Sequence, residues 1–141
     1  MPERTFKLEI VTPERVVLSN DRVASVVAPG VEGYFGIMAN RAPLISQLDI
    51  GVLQYRAVGG HWEYVAVSGG FLEAIGNKVT VLAETAELSH GIDVQRAQEA
   101  RERALQRLRS SEPDVDIVRA QAALKRAAAR LAAAEHRDSH D

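Results

Sequence analysis

The 141-residue sequence contains no cysteine, and aromatic residues make up only 5% of it. Without cysteine the chain has no disulfide, thiolate nucleophile or cysteine zinc site, so a reducing compartment is the expected setting. The sequence also lacks an excess of positive charge, because 17 Lys and Arg stand against 19 Asp and Glu. Nucleic acid is therefore not an expected partner.

Long apolar runs are also missing. The opening stretch MPERTFKLEIVTPERV interrupts every apolar run with charges, so neither a signal peptide nor a membrane span is predicted. Any association with a membrane is expected to come through a partner protein.

Motifs for catalysis or metal binding are scarce. None of the four histidines lies beside a plausible nucleophile or in an HExxH-type arrangement. His136 and His140 are four apart, like two helical metal ligands, but they fall in a polar terminal segment that is predicted to be a disordered tail. GVEGYFG is predicted to be a turn rather than a phosphate loop, since strand-like sequence follows it. We expect no metal site, no required cofactor and no enzyme acting alone.

Short runs rich in Val, Ile, Thr, Tyr and Phe fill the first part of the chain, separated by turn signals at PGVEG, VGGH, SGG and GNK. In TFKLEIV the residues Phe6, Leu8 and Ile10 alternate with polar ones, which is the pattern of a strand with one buried face. VASVVAP, GVLQYRAV, HWEYVAV and KVTVLAE are further predicted strands. This spacing favours an all-β sandwich or flattened barrel over residues 1–88.

Helical periodicity replaces this pattern after SHGID. One apolar stripe runs along the second helical segment, at Ile117, Ala120, Leu124, Ala127, Leu131 and Ala134. The first segment has a weaker seam, at Val94, Ala97, Ala104 and Leu108, interrupted by Arg101. Residues 89–141 are therefore predicted to form an antiparallel two-helix hairpin with a disordered tail. Because alanine dominates both seams, the hairpin is expected to be weakly held and to move easily.

Arginines recur on one face of each predicted helix. Arg126 and Arg130 are four apart on the second helix, where like charges repel, and Arg96 and Arg103 are seven apart on the first. Asp93 stands at the predicted N-cap of the first helix, where it satisfies free backbone N–H groups without any ligand. From composition alone, the arginines form either a solvated basic face or a site for a polyanion such as a triphosphate.

Three stretches carry a family resemblance. GYFGIMANRAPLISQL, residues 33–48, resembles the GELGILPGHAPLLTAL signature of the ε subunit of bacterial F-type ATP synthase. VSGGFLEA, residues 67–74, and VTVLAETAE, residues 79–87, resemble two other stretches of that subunit, in the same order and spacing. The similarity runs from about residue 6 to residue 135.

The resemblance implies a β-sandwich of about ten strands followed by the helical hairpin. It also implies a non-catalytic rotor subunit of the central stalk, which couples proton flow to ATP synthesis and inhibits ATP hydrolysis through movable C-terminal helices. The implied partners are the γ subunit and the c-ring, with the α and β subunits joining when the hairpin is extended. The implied location is peripheral, on the cytoplasmic face of the bacterial plasma membrane. The alternative is a free-standing β-sandwich binding module that uses its hairpin to hold another partner.

The resemblance also assigns residues. A loop over residues 31–43 is expected to face the c-ring and γ, where Tyr34 replaces a frequent Glu and ANR replaces PGH; its expected contact residues are Glu32, Tyr34, Asn40, Arg41 and Pro43. IDVQRA matches the I/L-D-x-x-R-A motif of family members that bind ATP as a regulatory ligand. The implied ATP-site residues are Glu87, Ile92, Asp93, Arg96, Ala97, Arg103, Arg126 and Arg130. Gly91, just before the motif, is the expected hinge.

Overall fold

The structure, a computed structural model, describes residues 4–136. Its strands are β1 (Phe6–Val11), β2 (Val16–Gly30), β3 (Gly33–Met38), β4 (Leu44–Gln47), β5 (Gly51–Ala57), β6 (Trp62–Ser68), β7 (Phe71–Ile75), β8 (Lys78–Leu82) and β9 (Thr85–Leu88). A 3₁₀ turn (Ser89–Gly91) leads to the helices α1 (Val94–Arg109) and α2 (Ile117–Glu135). The predicted fold class, a β-sandwich followed by a two-helix hairpin, is confirmed, with nine strands in the described part of the chain.

The long strand β2 connects the two layers of the sandwich. The strands are hydrogen-bonded in the order β4-β7-β8-β1-β2-β5-β6-β9, and β3 pairs with β2. The first half of β2 pairs with β1, while the second half pairs with β3 and β5. The register shifts between Val23 and Ser25, and such a bulge bends a strand. This bend lets one strand serve both layers.

The core lies between the layers and follows the period-2 pattern of the sequence. Phe6, Leu8 and Ile10 of β1 are fully buried, as their alternation with polar residues predicts. Burying a side chain of this size contributes about 1.5 to 3 kcal/mol, so the inner faces hold the sandwich together. The four predicted turn signals lie at ends of strands.

The turn between β6 and β7 depends on glycine. Gly69 and Gly70 have φ angles of 69° and 106°, a region that favours glycine. A Cβ atom at Gly70 would collide with the carbonyl oxygen of Leu82. The predicted turn at SGG is confirmed, and strand β3 after the GVEG turn confirms the prediction that no helix follows it.

The hairpin is folded against the sandwich. Helix α2 packs on β5, β6 and the 3₁₀ turn, and α1 packs on α2. The predicted seam of α2 is buried at Ala120, Ala127 and Ala134. The prediction was wrong for Ile117, which is 45% exposed, because it occupies the first turn of α2, next to the connection between the two helices.

A second buried face of α2 was not predicted. Ala129 and Ala133 pack with Ala134 and Ile92 against the outer side of the sheet, where they meet Ala66, with Ile50, Val52, Tyr64 and Val94 at the margin. Alanine occurs on several sides of this helix, so a search for one apolar stripe finds only one of its two interfaces.

Polar contacts also attach α2 to the sandwich. Lys125 Nζ lies 3.1 Å from Asp49 Oδ2 in the β4–β5 connection. His136, at the end of α2, stacks on Tyr64 with ring centroids 3.8 Å apart and an interplanar angle of 12°. The predicted tail therefore cannot start at His136, because an aromatic partner holds its ring. Residues 137–141, with His140, lie outside the described residues.

Candidate functional site

The largest concentration of predicted site residues surrounds one cavity of about 370 Å³ at the start of the hairpin. Strand β9, the 3₁₀ turn and both helices contribute to it. Six of the eight implied ATP-site residues line it, together with Gly91 and Ala100: Glu87, Asp93, Arg96, Ala97, Arg103 and Arg130. The fold thus brings together residues that are far apart in the sequence.

Asp93 fixes the start of α1 at the edge of the cavity. Its backbone is extended (φ −82°, ψ 102°), and its Oδ1 accepts a hydrogen bond of 3.0 Å from the N–H of Arg96. This is N-cap geometry, which contributes about 1 kcal/mol, so the predicted cap is confirmed. The cap holds the first turn of α1 in place, and Arg96 and Arg103 then line the same cavity from one face of the helix.

An ion pair closes the opposite wall. The Nε of Arg130 on α2 donates to Oε1 of Glu87 on β9 at 2.6 Å. Both side chains remain partly exposed, at 27% and 37%, so the pair contributes no more than about 1 kcal/mol. Three arginines and two carboxylates line the cavity, which leaves one excess positive charge (3 − 2 = 1).

Two implied site residues do not line this cavity. Ile92 is 4% exposed because it packs under α2 with Ala129 and Ala133. Arg126 lines a smaller hollow beside the cavity, and Arg130 borders both spaces. Arg126 thus lies next to the main cavity, and Ile92 belongs to the buried contact between α2 and the sheet.

Gly91 lies on the cavity wall at the end of the 3₁₀ turn. A Cβ atom there would have no neighbour within 4 Å, and the backbone is outside the region that requires glycine. The folded state therefore places no steric demand for glycine at this position. The hinge at Gly91 concerns movement to an extended hairpin, and it stays a prediction.

The predicted partner-facing loop is exposed at four of its five residues, Glu32, Tyr34, Asn40 and Pro43. Arg41 differs, because its guanidinium lies 5.3 Å from the ring centroid of Phe6 and donates to the carbonyl of Lys78 at 3.1 Å. Burial lowers the pKa of the Arg41 guanidinium. Its head group therefore contacts this chain and supports the loop from beneath.

Tyr34 also joins the loop to the sandwich. Its hydroxyl accepts a hydrogen bond of 3.1 Å from the N–H of Val52, at the point where β2 leaves β5. The hydroxyl lies so close to Gly51 that a Cβ there would be 2.7 Å away. Tyr34 is still 61% exposed, so its ring remains available to a partner.

Sequence reasoning missed an apolar patch on the outer face of β4, β7 and β8. Phe71 and Leu82 are cross-strand partners and are 52% and 54% exposed. Ile45 and Ile75 on the same strands are also more than half exposed. The signal was present in FLEAI, where apolar residues occupy both faces of one strand. We call Ile45, Phe71, Ile75 and Leu82 the outer patch.

Within residues 4–136, no helix is long and apolar enough to cross a membrane.

Comparisons with known proteins cover nearly all of the chain. Residues 5–89 match the β-sandwich domain of the ATP synthase delta/epsilon chain, and residues 90–135 match its long α-helix domain. The ATP synthase epsilon chain of Carboxydothermus hydrogenoformans is 59% identical over 108 residues, which cover 77% of this chain and 79% of that one. The epsilon chain of Syntrophomonas wolfei is 51% identical over 115 residues, covering 82% and 83%.

A solved structure agrees with these relatives. A chain in the cryo-EM structure of the Euglena gracilis mitochondrial ATP synthase, OSCP/F1/c-ring in rotational state 1, matches with a TM-score of 0.80 and 25% identity. The match covers 96% of this chain and 84% of that chain. Both domains, their order and the level of identity agree: this chain belongs to the ATP synthase epsilon chain family.

Proposed function

We propose that this chain is a rotor subunit in the central stalk of a bacterial F-type ATP synthase. In this role it helps to couple proton flow to ATP synthesis and inhibits ATP hydrolysis through its C-terminal hairpin, with ATP as a regulatory ligand rather than a required cofactor. Its proposed role is regulatory rather than catalytic. The observation that carries the proposal is the cavity between β9, the 3₁₀ turn and both helices, lined by three arginines and a capped helix start.

The outer patch is the proposed docking surface for the γ subunit. Its four exposed apolar side chains lie on neighbouring strands, with Phe71 and Leu82 as cross-strand partners, and exposed apolar surface of this kind is what protein interfaces bury. Helix α2 already covers β5 and β6, so the patch on β4, β7 and β8 remains for a partner. The loop over residues 31–43 is proposed to reach the c-ring, which places the protein at the cytoplasmic face of the plasma membrane through the complex.

The cavity suits a nucleoside triphosphate. Arg96 and Arg103 on α1 and Arg130 on α2 converge on it, and guanidinium groups are well matched to phosphate oxygens. The start of α1 adds the positive end of a helix dipole beside the cavity. A volume of about 370 Å³ falls within the range of small-molecule sites.

The position of the cavity explains how ATP would regulate the hairpin. The cavity walls come from the sandwich and from both helices, so all of its contacts exist together only when the hairpin is folded. A ligand that binds one of two states stabilises that state by its differential affinity. ATP is therefore expected to favour the folded, permissive hairpin, whereas a hairpin extended along γ toward the α and β subunits blocks rotation.

Calorimetric titration of the isolated protein with ATP tests the site. We expect binding, and Arg103→Ala should weaken it by about tenfold or more, because a hydrogen bond to a charged group is lost. Arg107→Ala is the matched control, since Arg107 is exposed on the same helix outside the cavity. No heat of binding up to millimolar ATP would overturn the proposed ATP site.

Docking is tested by co-purification with γ and the c-ring. Leu82→Asp should abolish association, because it places a charge in the outer patch, while Val118→Asp, at an exposed position of α2, should not. Truncation after His90 should raise the ATPase activity of the assembled complex and leave association with γ intact. Failure of the full chain to associate with γ would favour a free-standing binding module instead.

A further inference from the structure

A smaller hollow of about 10 Å³ adjoins the main cavity between β6, β9 and α2. Ser68, Thr85, Arg126 and Arg130 provide its polar lining, and we call it the side hollow. The hydroxyls of Ser68 and Thr85 are hydrogen-bonded to each other, and either can be the donor. Arg130 borders both spaces, so the side hollow continues the main cavity toward the start of β9.

The register between β9 and α2 explains the composition of the side hollow. Thr85 and Glu87 are alternate residues of one strand, so their side chains leave the same face about 6.6 Å apart. Arg126 and Arg130 are one turn apart on α2, about 6 Å along the helix. The Glu87–Arg130 ion pair joins the second residue of each of these two pairs. Arg126, one turn earlier on α2, lines the side hollow together with the hydroxyl-bearing residues Ser68 and Thr85.

Within the described part of the chain, Arg126 is consequently a cation without a charged partner. Among residues 4–136, no carboxylate forms an ion pair with it. Arg126 is only partly exposed, and the Ser68 and Thr85 hydroxyls, which are hydrogen-bonded to each other, line the same hollow. Guanidinium and hydroxyl donors that converge on one point make a binding site for an anionic oxygen.

The size of the side hollow sets what fits. About 10 Å³ is close to the volume that one water-sized oxygen requires, and it is too small for a whole phosphate group. One oxygen of a phosphate can enter while the phosphorus and the remaining oxygens stay in the main cavity beside Arg130.

We propose that the Ser68 and Thr85 hydroxyls, with Arg126, bind one oxygen of the terminal phosphate and so select a triphosphate over a diphosphate. The inference rests on the proposed binding of ATP in the main cavity and adds two specificity-determining residues to it. A diphosphate bound in the same pose has no group that reaches the side hollow. The hydroxyl pair therefore contributes to the affinity for ATP and not to that for ADP.

Calorimetric titration of ATP and ADP into Thr85→Val, Thr85→Ser and wild-type protein tests this assignment. Thr85→Val should weaken ATP binding by about tenfold, the scale of a hydrogen bond to a charged group, and leave ADP binding within about twofold. Thr85→Ser keeps the hydroxyl and should restore wild-type affinity. Thr80→Val, a matched threonine substitution in β8, should change neither affinity.

Each other outcome contradicts the assignment in a distinct way. Equal weakening of ATP and ADP by Thr85→Val would mean that Thr85 only supports the fold, and unchanged ATP affinity would remove it from the site. Because Ser68 is buried and loses its partner in Thr85→Val, thermal unfolding of each variant is measured alongside, and Thr85→Ser must unfold like the wild type. A wild-type protein that binds no ATP would refute the proposed site itself, and the side hollow would lose its ligand with it.

Discussion

Ala133→Leu is expected to release the hairpin from the sandwich. Ala133 is fully buried at the center of the α2–sheet interface, where a leucine adds three carbon atoms without space for them. Overpacking of this kind costs about 1 to 3 kcal/mol. A leucine at Ala132 is the matched control, because Ala132 is the neighbouring residue on the same helix and is exposed.

The interface is weak enough for this cost to matter. Ala129, Ala133 and Ala134 contribute one methyl group each, at about 0.8 kcal/mol per buried carbon. The two partly exposed ion pairs to α2 add about 0.2 to 1 kcal/mol each. These alanine and ion-pair contacts together contribute a few kcal/mol, and a loss of about 2 kcal/mol raises the undocked fraction by about 30-fold.

Limited trypsin digestion and hydrogen exchange measure this fraction. When opening and closing are fast, the rate of cleavage follows the population of the open state, so Ala133→Leu should be cut in the helices about 30-fold faster than wild type. Exchange in β1 and β8 should not change. Equal cleavage of Ala132→Leu and Ala133→Leu, or unchanged cleavage of Ala133→Leu, would refute the docking estimate.

Four smaller predictions concern single residues. Asp49→Asn should speed cleavage of the hairpin by about two- to fivefold at low salt, since it removes an exposed ion pair with Lys125; no change on lowering the salt concentration would contradict this. The pKa of Asp49 is lowered, first by a hydrogen bond from the N–H of Ile50 and then by Lys125. The stabilisation of the folded hairpin by Asp49 is therefore present above the ordinary pKa of the carboxyl group and is lost as the pH falls through the folded-state pKa. Digestion with an acid-active protease should show faster cleavage of the hairpin below that pH. Tyr34→Phe should reduce the free energy of unfolding in urea by about 1 kcal/mol, because it leaves a backbone N–H without its acceptor, and an unchanged midpoint would contradict the hydrogen bond. Gly70→Ala should destabilise far more than Gly59→Ala in thermal unfolding, since both have positive φ but only Gly70 lies against another strand; equal losses would contradict the collision.

The sequence predicted the sandwich because most of its strands bury one face. Phe6, Leu8 and Ile10 carry this pattern, and they are buried as predicted. The pattern fails to explain Phe71 and Leu82, which are apolar and exposed. Under the proposed function the γ subunit covers this exposed surface, and periodicity alone cannot separate such a surface from a core.

In the candidate site, contacts between residues close in sequence could be predicted, whereas contacts between distant residues could not. The cap at Asp93 was predicted because its partner is three residues away. The ion pair of Glu87 with Arg130 joins residues 43 positions apart, and the pairing of Ser68 with Thr85 depends on the register of β6 and β9. No spacing rule reports such pairs, and only the resemblance had placed Glu87 near the arginines.

Under the proposed function, the docking energy of the alanine face of α2 and the binding energy of a ligand in the cavity are of similar size. A ligand at 100 times its dissociation constant stabilises the state that binds it by about 2.7 kcal/mol. This is comparable to the few kcal/mol that Ala129, Ala133, Ala134 and two ion pairs contribute to docking. If leucines replaced these alanines, docking would gain several kcal/mol, and the hairpin would stay folded whether or not a ligand was bound. Control by a ligand therefore requires an interface of small side chains next to a charged cavity, and α2 carries both, with Ala133 against the sheet and Arg130 at the cavity within one turn of helix.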